Sequence, residues 1–275
     1  MFTILGATGF VGSHLVKRLA ELQQECLIPN RDEELSRRKL GDVIYCIGLT
    51  ADFRSKPFET VDAHVCKLRQ LLKDCEFDSL LYLSSTRLYG ARTGIALEDE
   101  PIQAAPLQPD HLYNISKAMG ESLTLSCGRR GRVVRLSAAY GRDFESENFL
   151  TTIMRDAILT KEIVLQTSVD SERDYISVDD VVELLLKIAA SGRERIYNVA
   201  SGKNVSHLEL TNKISEFTGC RIEVMENAPR VSFPTINIDR IRKEFDFHPA
   251  GDVLTDVQKL VESYRADLTQ GKKKT

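Results

Sequence analysis

The chain begins Met1-Phe2-Thr3-Ile4-Leu5-Gly6-Ala7-Thr8-Gly9-Phe10-Val11-Gly12, and this stretch decides the fold. Phe2, Ile4 and Leu5 predict a short buried strand, and the apolar spacing after Gly12 predicts a helix. A glycine turn between strand and helix lets a pyrophosphate approach the backbone, and the helix N-terminus offers it free N–H groups. The predicted ligand is a dinucleotide. A tight turn that needs glycines for packing alone is the alternative interpretation.

The length, charge and cysteine content of the chain limit its class. With 275 residues it can bury a full core, as one large α/β domain or as a nucleotide-binding domain with a smaller appendage. The net charge is −3 with both signs spread along the chain, so no basic face indicates nucleic acid. Six cysteines without a Cys-x-x-Cys pair predict buried, reduced thiols. Without a leader-like or long apolar segment, we expect a cytoplasmic protein that is neither secreted nor inserted in a membrane.

The second predicted strand, residues 25–28, bears on the choice of cofactor. It ends at Pro29-Asn30-Arg31. In dinucleotide sites an acid at this strand end binds the ribose hydroxyls, whereas an arginine pairs with the 2′-phosphate of NADP. Arg31 therefore favours NADP over NAD. Asp32 follows at once, and an exposed loop charge is the alternative explanation of Arg31.

Two later segments carry groups suited to proton transfer. The buried run 79–83 opens into Ser84-Ser85-Thr86-Arg87-Leu88-Tyr89-Gly90 at a strand end, where ligands bind in open parallel sheets. Tyr113 and Lys117 stand at i and i+4, hence on one face of a predicted helix. A nearby cation lowers the pKa of a phenol, about 10 when free, so Tyr113 would exchange a proton with a carbonyl or carbinol oxygen. The Lys117 ammonium would also reach the ribose of a nicotinamide nucleotide.

The order of these motifs resembles the extended branch of the short-chain dehydrogenase/reductase superfamily, the NAD(P)-dependent nucleotide-sugar epimerases and dehydratases. The resemblance covers about residues 1–265 and includes Arg173-Asp174-Tyr175 and the run 196–202. It implies an α/β fold, namely a Rossmann-type doubly wound parallel sheet with a smaller C-terminal substrate-binding lobe. The domains expected are an NAD(P)-binding Rossmann domain at 1–160 and a substrate-binding lobe at 161–275, interleaved with the sheet.

The resemblance also assigns roles to residues. Counted back from Leu88-Tyr89-Gly90, the catalytic hydroxyl is Ser85, and it acts with Tyr113 and Lys117. Together with the patterns above, it predicts cofactor contacts at Gly6, Thr8, Gly9, Phe10, Val11, Gly12, Arg31, Ile47, Gly48, Tyr113, Lys117 and Leu136. The predicted substrate contacts are Ser85, Thr86, Tyr113, Asn148, Arg173 and, as a second-rank candidate, His64. No metal is expected. An ion pair with a neighbouring acid is the alternative for Arg173, and a structural role is the alternative for His64.

Four residues depart from the family pattern and restrict the function. Thr86-Arg87 stand where the sugar 4,6-dehydratases of this branch carry Asp-Glu, which disfavours dehydration. Ala138 replaces an Asn that lies beside the nicotinamide and the substrate in related proteins, and His64 also stands where an Asn is common. A substrate without a nucleotide therefore stays open as an alternative.

The interpretation that these observations favour is an oxidoreductase acting on a small molecule, a nucleotide-linked sugar. The cofactor is NADP, with NAD as the alternative, and the reaction favoured is NADPH-dependent reduction of a 4-ketosugar. A 4-epimerase that retains NAD is the first alternative, and a non-catalytic dinucleotide-binding regulator is the second. Related proteins dimerise through the helices that begin near Glu59 and Leu112 here, so a homodimer is expected.

Overall fold

The structure is a computed structural model that describes residues 1–31, 33–36, 38–50, 53–108, 110–144 and 146–271. The strands in these ranges are β1 Phe2–Leu5, β2 Cys26–Leu27, β3 Asp42–Tyr45, β4 Ser79–Ser85, β5 Ile95–Ala96, β6 Gly131–Leu136, β7 Ala138–Tyr140, β8 Glu162–Leu165, β9 Glu172–Ser177, β10 Ile196–Val199, β11 Asn204–Ser206, β12 Arg221–Val224 and β13 Thr235–Ile236. The helices are α1 Phe10–Glu21, α2 Pro57–Val61, α3 Lys67–Asp74, α4 His111–Ser126, α5 Phe149–Leu159, α6 Val178–Ser191, α7 His207–Thr218, α8 Asp239–Phe245 and α9 Val253–Gly271.

The main sheet has six parallel strands in the order β10-β6-β4-β3-β1-β2. From β1 the chain moves outward to β2 on one side and then returns to β3 on the other. Ligands of open α/β sheets bind at such a reversal, outside the carboxyl ends of the strands. The sheet confirms the predicted Rossmann-type fold and places the glycine turn after β1 at the reversal.

Each face of this sheet is covered by helices because alternate residues of its strands point to opposite sides. Ile4 and Ile44 pack in a core with residues of α1 and α6. Tyr45 and Tyr82 lie in a second core, on the other face, with residues of α3. The strands are therefore apolar on both faces, as a buried parallel sheet requires.

A smaller lobe carries short sheets and its own core. Strand β9 lies between β11 and β7, and β12 pairs with β8. The lobe core contains residues of α5, α7 and α9. Elements of both parts occur on each side of residue 160. Strand β7 and helix α5 precede it and belong to the lobe, whereas β10 follows it and belongs to the main sheet. A division into domains near residue 160 stays a prediction.

Three local features differ from the sequence-based expectations. The helix expected from Glu59 to Asp74 is interrupted by a π-helical segment, Asp62–Cys66, between α2 and α3. The second strand is only two residues long. The cysteines are free, as expected, yet Cys66 is exposed and Cys220 alone among the six is fully buried. Among the described residues, no helix combines the length and apolar character needed to span a membrane.

Candidate active site

The glycine turn depends on two glycines for different reasons. Gly6 has φ +86°, a backbone conformation that strains other residues, and a Cβ there would lie 2.9 Å from the Cys46 carbonyl carbon and the Ile47 nitrogen. A Cβ on Gly12 would lie 2.2 Å from the Gly6 oxygen. Gly6 therefore lets β1 meet the segment after β3, and Gly12 lets α1 pack against the turn.

Gly9 is different because it borders open space. Its backbone is extended, with φ −79° and ψ 171°, and a Cβ there would meet only the Gly6 oxygen, at 3.4 Å. Gly9, Phe10, Val11 and Gly12 line a cavity of about 510 Å³. No side chain caps α1, so the N–H groups of its first turn are not occupied by a capping side chain. This cradle fits a phosphate group.

Ser85 and Tyr113 meet on the wall of the same cavity. Ser85 ends β4, and its hydroxyl accepts a hydrogen bond from the backbone N–H of Arg87 at 3.2 Å. Tyr113 lies in the first turn of α4 with 3% of its surface exposed. Burial raises the pKa of the Tyr113 phenol, and a hydrogen bond with Ser85 and the charge of Arg87 oppose that rise. The hydroxyl next to the phenol is thus Ser85.

Lys117 lies one turn further along α4 and also lines the cavity. Its ammonium donates a hydrogen bond to the Leu83 carbonyl at 2.8 Å. Burial lowers the pKa of Lys117 to about 7. The charge of Arg87 opposes the rise that burial causes in the pKa of Tyr113. Arg87 is therefore a second cation beside Tyr113, in addition to the expected Lys117.

His64 is fully buried and does not line the cavity. Its Nε2 accepts from the backbone N–H of Leu49 at 3.3 Å, and its Nδ1 bonds the Ser116 hydroxyl at 2.8 Å, which donates to the Tyr113 carbonyl. Its ring packs edge-on against the Tyr113 ring. Burial lowers the pKa of His64 to about 2, helped by the charge of Lys117. This placement speaks against substrate contact and indicates a residue that positions the Leu49 segment and α4.

Gly48 explains how these groups come so close. A Cβ on Gly48 would lie 3.2 Å from both His64 Nε2 and Lys117 Nζ. Gly48 lines the cavity, whereas Ile47, Gly6 and the exposed Thr8 do not. The predicted cofactor contacts thus divide into residues on the cavity wall and residues that shape the backbone behind it.

The wall facing Tyr113 carries a cluster that the sequence did not single out. Phe53 packs against Tyr113 with ring centroids 5.3 Å apart. The Arg87 guanidinium lies 5.2 Å from the centroid of the Phe53 ring and 5.4 Å from that of Tyr113. Beside it, Arg54 holds Asp110 through two hydrogen bonds. Thr86, a predicted substrate contact, lines the cavity next to this cluster.

Arg173 also lines the cavity. Its guanidinium lies between Phe149, at 5.4 Å, and Phe233, at 5.6 Å from the ring centroids. Its Nε is buried without a hydrogen-bond partner, and no ion pair of Arg173 occurs among the residues described. The ion-pair alternative is thus not seen here. Asn148 also lines the cavity, but its side chain caps α5 by accepting from the Thr151 N–H at 2.9 Å.

The remaining predicted contacts, Leu136 and Arg31, follow two different strands of the main sheet. Leu136 lines the cavity at the end of β6. Arg31 is exposed beyond β2, outside the cavity lining, and has no ion pair in the described ranges, while Asp32 lies outside them. Within those ranges, no cluster of three or more His, Cys, Asp or Glu residues is suited to a metal ion.

Several known proteins are similar to this chain in sequence or in structure. A family model described as the NAD dependent epimerase/dehydratase family matches residues 2–200. The chain is 25% identical to a dTDP-4-dehydro-6-deoxy-D-allose reductase of Streptomyces sp, covering 90% of each protein. It is 25% identical to a putative UDP-glucose 4-epimerase of Methanocaldococcus jannaschii, covering 84% of this chain and 86% of that protein. The solved structure of MoeE5 in complex with UDP-glucose and NAD has a similar fold, with a TM-score of 0.81, 22% identity, and coverage of 97% and 99% of the two chains.

Proposed function

This chain belongs to the NAD dependent epimerase/dehydratase family, a family of enzymes, and we propose that it is an NADPH-dependent reductase of a nucleotide-linked 4-ketosugar. The observation that carries the proposal is the pairing of the Ser85 hydroxyl with the Tyr113 phenol on the cavity wall that also holds the glycine turn. The reductase and the putative epimerase reported above have nucleotide-linked sugars in their names, which supports this substrate class.

The proposed reaction adds a hydride to the carbonyl carbon and a proton to the carbonyl oxygen. The nicotinamide cofactor supplies the hydride when bound. Tyr113 donates its phenolic proton to the oxygen, and the Ser85 hydroxyl hydrogen-bonds the same oxygen as negative charge develops on it. The charge of Arg87 favours the phenolate that remains. The product is a secondary alcohol.

The residues present fit a dinucleotide. The uncapped N-terminus of α1 would hold the pyrophosphate, and Gly9 leaves it room. Lys117 would leave the Leu83 carbonyl and bond the nicotinamide ribose. Arg31, exposed and without an ion pair among the described residues, would pair with the 2′-phosphate of NADP.

One experiment separates the proposal from its two rivals. Purified protein is analysed for bound nucleotide and then supplied with NADPH and a dTDP-linked 4-ketosugar, while the absorbance of NADPH is followed. The reductase should contain no tightly bound cofactor and should oxidise NADPH in proportion to the ketosugar added. Retained NAD without net oxidation would instead favour a 4-epimerase, the second candidate because a putative epimerase is among the relatives. A regulator would bind the dinucleotide and turn over neither substrate.

We also propose a homodimer in the cytoplasm. Phe58 on α2 and Met119 on α4 are 83% and 50% exposed, and α2 packs beside α4. Apolar side chains at this surface favour association through these helices. The unpaired cysteines are in keeping with a reducing compartment. Light scattering should give twice the chain mass, and Phe58→Lys together with Met119→Lys should give the monomer mass.

A further inference from the structure

Arg87 places a guanidinium cation beside the proposed reaction centre. Its guanidinium lies against the rings of Phe53 and Tyr113, and its side chain lines the cavity. Two aromatic faces fix the position of the charge without occupying its N–H donors. A guanidinium held in this way retains five donors for a planar anion.

The carboxylate nearest to this cation, that of Asp110, is shared by two arginines. Asp110 receives hydrogen bonds from Arg54 Nε and Nη2, at 2.5 Å and 2.6 Å, whereas Arg87 Nη2 is 3.8 Å from Asp110 Oδ2. No other carboxylate among the described residues lies within ion-pair distance of Arg87. The group formed by Arg54, Arg87 and Asp110 thus carries a net charge of about +1, two guanidinium charges against one carboxylate.

The cavity holds a second cation. Arg173 lies between Phe149 and Phe233. Burial lowers the pKa of Arg87, and the charge of Arg173 contributes to that lowering. Tyr113 marks the position of the reacting carbon, and Arg87 lies against its ring. An anion beside Arg87 would therefore belong to the sugar and not to the diphosphate.

We propose that Arg87 recognises a carboxylate on the sugar, so that the substrate class is a nucleotide-linked sugar acid. This inference rests on the proposed function, since it takes the substrate to be a nucleotide-linked sugar and Tyr113 to be its proton donor. Carboxylate and guanidinium form two parallel charge-assisted hydrogen bonds, which would give both affinity and orientation. Arg87 makes or breaks no covalent bond in this role.

The test compares two ligands that differ only at C6. Protein saturated with NADP⁺ is titrated calorimetrically with UDP-glucose and UDP-glucuronic acid, and then with the corresponding dTDP pair. The wild type should bind the sugar acid at least ~10-fold more tightly, as expected of a charged hydrogen-bonded pair. Arg87→Met should remove this preference and change the affinity for the neutral sugar by no more than about twofold. Arg87→Lys, which keeps the charge but not the fork, should restore only part of the preference.

Arg130→Met is the matched control because Arg130 also lies 5.2 Å from a phenylalanine ring, that of Phe77, but outside the cavity. It should leave the preference intact. Equal binding of the acid and the neutral sugar by the wild type would overturn the inference and leave the proposed function standing. If Arg87→Met weakened the binding of both ligands equally and shifted the pH profile of turnover, the inference would also be overturned. Arg87 would then act only on the pKa of Tyr113. If neither pair binds while NADP⁺ does, the proposed function itself fails.

Discussion

The wall of the cavity on the main sheet is built from backbone and glycine, whereas the opposite wall is built from arginine and aromatic side chains. On the sheet side, Gly6, Gly12 and Gly48 each allow a contact that a Cβ would obstruct. On the other side, Phe53 and Phe233 each pack against an arginine. These two residues are more than a hundred positions apart in the sequence. We propose that the first wall binds the cofactor and that the second decides which substrate is accepted.

The largest expected effect lies where the two walls meet, at Tyr113. Tyr113→Phe keeps the ring that packs against Phe53 and His64 but removes the proton donor. We expect kcat for ketosugar reduction to fall by roughly 10³-fold, within the range for loss of a general acid. Calorimetry should show a much smaller loss of NADPH affinity than of kcat, since the pyrophosphate cradle is not altered. Turnover that survives unchanged would remove Tyr113 from the mechanism.

Two glycine substitutions distinguish a structural role from a binding role on the sheet side of the cavity. Gly12→Ala should cost roughly 3 kcal/mol in the free energy of unfolding, because its Cβ would lie 2.2 Å from the Gly6 oxygen. Gly9→Ala should cost less than about 1 kcal/mol, because its Cβ meets that oxygen at 3.4 Å. Gly9→Ala should nevertheless weaken NADPH binding at least ~10-fold, since the methyl group would stand in the phosphate cradle. Denaturant unfolding and calorimetry measure the two effects, and equal stabilities of the variants would contradict this description.

Lys117 should make the stability of the cofactor-free protein depend on pH. Its pKa falls from 10.5 in the unfolded chain to about 7 in the folded protein because of burial. Between pH 7 and pH 9 the unfolded chain therefore binds more protons at this residue, and the free energy of unfolding rises with pH. The rise should be about 2 kcal/mol over this window, since one pKa unit corresponds to about 1.4 kcal/mol.

Lys117→Met should abolish that rise, as followed by denaturant unfolding at several pH values. Lys73→Met, at an exposed position on α3, is the control and should keep it. A rise of the same size in Lys117→Met would show that another group is responsible. At pH 7 the Lys117→Met protein should be no less stable than the wild type, although it should bind NADPH more weakly.

The smallest effect is expected at Arg31, which lies away from both walls. Arg31→Ala should weaken NADPH binding by about 10-fold and leave NADH binding unchanged, because only NADPH carries the 2′-phosphate. Arg38→Ala provides a control from the same loop, because Arg38 is paired with Glu33. If Arg31→Ala lowered the affinity for both cofactors, or left both unchanged, a contact with the 2′-phosphate would be contradicted. NAD would then be the favoured cofactor.

How far the site could be predicted from the sequence differs between the walls for a physical reason. Gly6 to Gly12 lie in one local turn, and Tyr113 and Lys117 lie one helical turn apart, so local geometry suffices to group them. The cluster around Arg87 depends on Phe53 and Asp110, which only the folded chain brings together. No periodic pattern in the sequence predicts a contact between residues that are so far apart in the chain. The one signal in the sequence is that Arg87 departs from the family pattern. By itself this departure indicates only that dehydration is disfavoured.

His64 shows a second limit of local patterns. A lone histidine on a helix does not reveal whether it faces a cavity, and the π-helical segment that carries it has no distinct signature in the sequence. Only the structure shows both of its ring nitrogens engaged within the protein. The fold itself was predictable because strands that are apolar on both faces are typical of a buried parallel sheet, and because the glycine spacing and the later motifs resemble the extended short-chain dehydrogenases.

The most direct test of hydride transfer to a sugar is isotope transfer. The protein is incubated with a dTDP-linked 4-ketosugar and NADPH carrying deuterium at one or the other C4 position, and the product is analysed by mass spectrometry and NMR. We expect one deuterium at C4 of the product sugar from one of the two labelled cofactors, and labelling that is roughly 10³-fold slower with Tyr113→Phe. A wild-type protein that binds both molecules but transfers no deuterium from either would contradict this expectation.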